Sequence, residues 1–153
     1  MMQLTRPSPA GKTASLTFTL RGDAGFTLTD KYDALRAAIR FTGQKMPFYS
    51  DACVALPNQL LCVWTLPVDD SNFAIRWQTI KNRFASAVLD VETETRNIWT
   101  PGANMQELTG IVDYADAVRR CWFAPVERDL AITPEDWAYS SIHREDAEAQ
   151  MAA

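Results

Sequence analysis

Histidine is nearly missing from this chain: His143 stands alone among 153 residues. One imidazole without partners makes a poor metal site, and no Ser-His-Asp or Cys-His set can be assembled around it. Cysteine is sparse as well. Cys53, Cys62 and Cys121 lie inside apolar runs without Cys-x-x-Cys spacing, and read as buried free thiols in a reducing compartment. The six glycines are scattered singly, so no Gly-rich loop is available to cradle a phosphate. No stretch approaches the roughly 18 apolar residues of a membrane span, and no charged N-terminal region leads into an apolar run. The expectation is therefore no span, no signal peptide and a cytoplasmic location. A basic surplus is lacking too. The net charge of −4 and the isoelectric point near 4.9 argue against broad, non-specific nucleic-acid binding. They leave room for a local basic groove.

What is present suits one compact domain: 47% of the residues are hydrophobic and 22% charged. Residues 1–14 form an expected extended arm, 15–145 a single α+β domain and 146–153 a flexible tail. "ASLTFTLRG" alternates like a strand. "LTDKYDALRAAIRFTGQ" has helical spacing, with Thr29 or Asp30 as cap and Gly43 and Pro47 closing it. "FYSDACVAL" and "LLCVWTL" read as two strands joined through "LPNQ" as a hairpin. "DDSNFAIRWQTIKNRFASAVL" is a second helix capped by Asp70 or Ser71, with Phe73, Trp77, Ile80 and Phe84 as its buried stripe. A polar loop follows, then a short strand in "MQELTGI". "DYADAVRRCWF" is a third helix that Pro125 ends, and "TPEDW" a single turn with Thr133 as cap and Pro134 first. The order β-α-β-β-α-(β)-α predicts a ferredoxin-like antiparallel sheet with helices on one face.

Three strings go further: "ALPNQLLCVWTLPVDDSNFAIRWQTIKNRF", "CWFAPVERDL" and "PEDWAYSSIHRE". They resemble the REP-associated tyrosine transposases, small single-strand DNA endonucleases of the HUH class and the IS200-like superfamily. Members of that family commonly read "LPDHxHCVWTLP", "YCWxNPVKHG" and "DWPYSSxHR". The resemblance implies a defined chemistry. Two histidines one residue apart on a strand point to one face. With a third polar ligand from the last helix they hold a divalent metal that polarises a scissile phosphate. A tyrosine on that helix attacks the phosphate and becomes joined to the DNA end.

By the same resemblance, the histidine pair falls on Gln59 and Leu61, the tyrosine on Arg120 and the asparagine on Ala124. Leucine and alanine cannot bind metal, and arginine stays protonated and cannot act as a nucleophile. The basic "NPVKHG" appears as "APVERD", turned acidic at Glu127 and Asp129. The resemblance therefore implies a degenerate member without catalytic residues, cofactor or metal. Tyr114, six residues before Arg120, reads as a helix packing residue, and His143 as a capping or surface residue.

Arg76, Lys81 and Arg83 form the densest basic set and are the candidate nucleic-acid-binding residues, on a helix that the family sets beside the DNA backbone. Two functions remain open. One is a non-cleaving, domesticated binder of single-stranded or hairpin DNA. The other is a protein-interaction or self-association module that reuses the fold without nucleic acid.

Overall fold

The computed structural model of the chain describes residues 10–89, 97–102 and 104–144. Most of the expected arm and tail therefore lies outside the described residues.

The element that organises the fold is β1 (Ala10–Thr19). Its apolar residues Ala14, Leu16 and Phe18 are buried toward one face, while Thr13, Ser15, Thr17 and Thr19 alternate toward the other. β1 pairs antiparallel with β3 (Gln59–Pro67) on one side and β4 (Asn104–Leu108) on the other. β2 (Tyr49–Ala55) completes the order β2-β3-β1-β4 as an edge strand. The hairpin between β2 and β3 is tight, with the Leu56 N–H donating to the Gln59 carbonyl at 2.8 Å. β1 starts earlier than its alternating pattern suggests, because it enters beside the end of β3. A Cβ on Gly11 would lie 2.2 Å from the Pro67 carbonyl oxygen, so only glycine fits that approach.

α1 (Tyr32–Lys45) and α2 (Phe73–Val88) pack over one face of the sheet. Leu35, Ala38, Ile80 and Phe84 meet Leu16, Phe18, Leu60 and Trp64 there. α3 (Gly110–Glu127) covers part of the opposite face, where Ala117, Cys121 and Ala124 pack on Ala52, Val54 and Val63. The α+β plan with a four-stranded antiparallel sheet stands as expected. Helices on a single face hold for α1 and α2, whereas α3 uses the second face because β2 and β3 are apolar on both sides there.

Local differences have local causes. α2 is capped by Asn72, whose side chain accepts from the Ile75 N–H at 3.0 Å, one or two residues after the expected Asp70 or Ser71. α1 begins at Tyr32 without a side-chain cap, since Thr27 and Asp30 bond to each other's backbone in the preceding turn. β4 stops at Leu108 because Gly110, at φ 81°, turns the chain into α3. Pro125 sits inside the last turn of α3 instead of ending it, and the Arg128 N–H still reaches the Ala124 carbonyl at 3.1 Å. Ile98 and Trp99, expected within a polar loop, are buried; Trp99 bridges to Leu20 and its indole N–H reaches the Lys81 carbonyl at 3.3 Å. The turn Pro134–Asp136 forms as expected, with the Asp136 carboxylate accepting from the Thr133 N–H. Among the described residues no helix is long and apolar enough to cross a membrane.

Candidate nucleic-acid interface

The face of the sheet opposite α1 and α2 is apolar under α3 and hydroxylated beyond it. Thr17 pairs with Leu61 and with Asn104, and Ser15 with Val63 and with Gln106, so these side chains share one face. Gln59 and Leu61 belong to it, because the alternating residues Leu60 and Cys62 point into the core under α1 and α2. Arg120 projects from α3 over the same face. Ser15, Thr17, Leu61, Gln106 and Arg120 line a cleft of about 170 Å³. Ala124, one turn after Arg120, does not line the cleft and is buried among Ala52, Val54 and Val63 under α3. The four positions read from the resemblance are therefore two on one strand and two on the helix laid across it.

Their donor set does not fit a divalent cation. Leu61 and Ala124 have no lone pair to offer. The Gln59 amide nitrogen donates to the Thr19 hydroxyl at 3.2 Å, while its oxygen is buried without a hydrogen-bond partner among the described residues. Among the described residues no three His, Cys, Asp or Glu side chains come together as a metal group. The three cysteines are free, and burial pushes the thiols of Cys62 and Cys121 well above their ordinary value. His143 is exposed, with Nε2 2.8 Å from the Trp137 carbonyl.

Tyr114 is anchored from below. Its hydroxyl donates to one Asp51 carboxylate oxygen at 2.7 Å, and the Thr65 hydroxyl donates to the other at 2.7 Å. Thr65 also bonds Thr13 at 2.9 Å, so α3 is tied to three strands by one buried polar chain. Sequence reasoning missed this network, although an acidic residue inside the apolar run of "FYSDACVAL" was its signal.

The basic residues of α2 divide. Arg76 is 2% exposed, and its guanidinium donates to both Asp70 oxygens (2.8 and 3.1 Å) and to the carbonyls of Met46, Pro47 and Asn72. That bidentate pair holds the Asp70 carboxyl below its ordinary value. Lys81 is 5% exposed, donates to the Gly102 carbonyl beside the rings of Phe18 and Trp99, and has its pKa lowered by desolvation. Arg83 alone of the three is exposed, its guanidinium stacked 3.7 Å from the centre of the Phe41 ring.

Comparison with known proteins places this geometry. No family profile matches the chain. A REP-associated tyrosine transposase of Escherichia coli strain K12 is 34% identical over 137 residues, covering 90% of this chain and 80% of the relative. A putative REP-associated tyrosine transposase of Haemophilus influenzae is 28% identical over 145 residues, with 88% and 81% covered. Among solved structures, a REP-associated tyrosine transposase bound to a REP hairpin superposes with a TM-score of 0.83 at 33% identity, over 97% of this chain and 87% of that one.

Proposed function

The chain belongs to the REP-associated tyrosine transposases, and we propose that it binds single-stranded or hairpin DNA without cleaving it. The observation that carries this reading is the cleft between β1, β3 and α3. A cationic Arg120 faces strand hydroxyls there, at the helix position where the family's resemblance sets the nucleophilic tyrosine. Guanidinium and hydroxyl groups suit phosphate oxygens. Arg120, which stays protonated, supplies no nucleophile at that position, and the side chains of Leu61 and Ala124 supply no metal ligand. Of the three basic α2 residues, Arg83 is the accessible one and is proposed as a separate phosphate contact, because α2 lies on the opposite face of the sheet from the cleft. Arg76 and Lys81 act on it by holding α2 in place. The domain is thus a pseudo-enzyme consistent with a domesticated role.

The test is an incubation of the protein with tailed hairpin oligonucleotides and manganese, followed by a denaturing gel. The expected outcome is intact DNA and no covalent protein–DNA band. A covalent band that Tyr114→Phe abolishes would contradict the reading and make Tyr114 the nucleophile.

One observation favours the second reading, a protein-interaction or self-association module. Ile111 and Val112 at the start of α3 and Ile132 after its end are exposed, the last at 88%, and Glu127 and Asp129 at the helix end are exposed acids. Sedimentation velocity distinguishes them: a purely monomeric protein that binds hairpin DNA excludes self-association as the function.

A further inference from the structure

Two of the three thiols face each other across the β2–β3 hairpin. Cys53 on β2 and Cys62 on β3 are direct partners in the antiparallel register, and their Sγ atoms lie 3.8 Å apart. The kind of pair matters. The Cys53 N–H donates to the Ser141 hydroxyl and the Cys53 carbonyl accepts from the Ser141 N–H, both at 2.8 Å. Both backbone groups of Cys53 therefore point away from β3. Cys53 and Cys62 are thus a non-hydrogen-bonded pair, the closer of the two antiparallel types, for which Cα atoms stand about 4.5 Å apart. That separation lies inside the range of roughly 4.4–6.8 Å that a disulfide spans. Shortening the sulfur contact to a bond of about 2.05 Å takes χ1 rotation of the two side chains and no change of register.

The two thiols differ in access. Cys53 is partly exposed and lines a cavity of about 420 Å³ between α1 and β2, lined also by the exposed Arg36, Arg40 and Gln44. Cys62 is 2% exposed and does not line it. The hydrogen bond with Cys62 holds the Cys53 thiol below its ordinary value, while burial pushes Cys62 well above it. The accessible member therefore carries the larger thiolate fraction, and the buried member stays a thiol beside it. Cys121 does not compete. It packs under α3 on the opposite face of the sheet, where its Sγ donates to the Leu61 carbonyl at 3.4 Å.

We infer that Cys53 and Cys62 are a redox pair, in which a peroxide oxidises Cys53 and Cys62 closes a cross-strand disulfide. The Cys53 thiolate attacks one peroxide oxygen and the O–O bond breaks. Cys53 becomes a sulfenic acid, and the second oxygen leaves as hydroxide and takes up the proton that Cys53 released, giving water. The Cys62 sulfur then attacks the Cys53 sulfur. The S–S bond forms, the S–O bond breaks, and the hydroxyl leaves with the Cys62 proton as a second water. The two thiols lose two electrons and the peroxide gains them. The bridge ties the edge strand β2 to β3 and is reversed by thiol reductants, as suits a transient disulfide in a reducing compartment. The pair does not rest on the DNA-binding reading.

The experiment treats the reduced full chain with hydrogen peroxide, alkylates it in denaturant and maps the products by mass spectrometry. The expected result is loss of two of the three alkylatable thiols, with Cys53 and Cys62 joined within one chain. Dithiothreitol should restore both. Cys62→Ser is expected to leave a Cys53 sulfenic acid that dimedone captures, and Cys53→Ser to keep both remaining thiols at the same peroxide dose. The pair is overturned by three alkylatable thiols in treated wild type, by a bridge to Cys121 or between chains, or by oxidation of Cys53 without a bridge. Equal loss of thiols in Cys53→Ser also overturns it. The mapping of wild type decides the matter even where a variant fails to fold.

Discussion

The hydroxyl of Tyr114 and the carboxylate of Asp51 meet at 2.7 Å, joining α3 to the edge strand β2. Asp51 is 3% exposed, so each bond that stabilises its charge matters to folding. Tyr114→Phe is expected to destabilise the protein by about 1.5–3 kcal/mol, the range for hydrogen bonds to charged groups. Thermal unfolding followed by circular dichroism reads this as a lower midpoint, with hairpin affinity at room temperature unchanged. An unchanged midpoint would show that the bond is dispensable.

Arg76→Ala is expected to destabilise the fold by about 3–5 kcal/mol, because it strips a buried guanidinium from Asp70 and three carbonyls at once. The pH dependence has a definite sign. The Asp70 carboxyl titrates below its ordinary value in the folded state, so its contribution is complete above the unfolded carboxylate pKa. It is lost as pH falls through the lower folded value. Urea unfolding from neutral to acid pH should show that component in wild type and not in the variant. Equal acid sensitivity of the two would place the dependence on other carboxylates.

The tryptophans are expected to separate by burial. Trp64 is 1% exposed and packs on Phe18 and Phe48, so Trp64→Ala should cost about 3–5 kcal/mol. Trp77 is half-buried on α2, and Trp77→Ala should cost clearly less. Denaturant midpoints of the two variants compare them directly. A larger loss at Trp77 would reverse this ranking.

The strand and helix periodicities were legible because one face of each element is buried: Leu16 and Phe18 in β1, or Ile80 and Phe84 in α2. The tight start of β1 at Gly11 and the passage of α3 through Pro125 were not, since both depend on what packs beside them. The same limit applies to the candidate site. Gln59, Leu61, Arg120 and Ala124 came from aligned strings, and the fold sets them on one strand and on the helix that crosses it. The row Arg76, Lys81, Arg83 looked uniform, yet two members face inward. Positions 76 and 83, seven residues apart, lie only about 20° apart around the helix, so spacing alone does not separate a buried cation from an exposed one. Here Asp70 and two carbonyls before α2 capture the first. A buried cation is found by its partners, and those are distant in sequence.

The most direct measurement is a fluorescence titration of a labelled hairpin oligonucleotide at about 50 and 200 mM salt, comparing wild type with Arg120→Ala and Arg83→Ala. Both residues are exposed, so the substitutions leave the core intact. Wild type is predicted to bind at low salt and to weaken steeply at high salt. Each substitution should lower affinity and flatten the salt slope by about 0.9. No binding by wild type at low salt would contradict the account and leave the protein-interaction reading in its place.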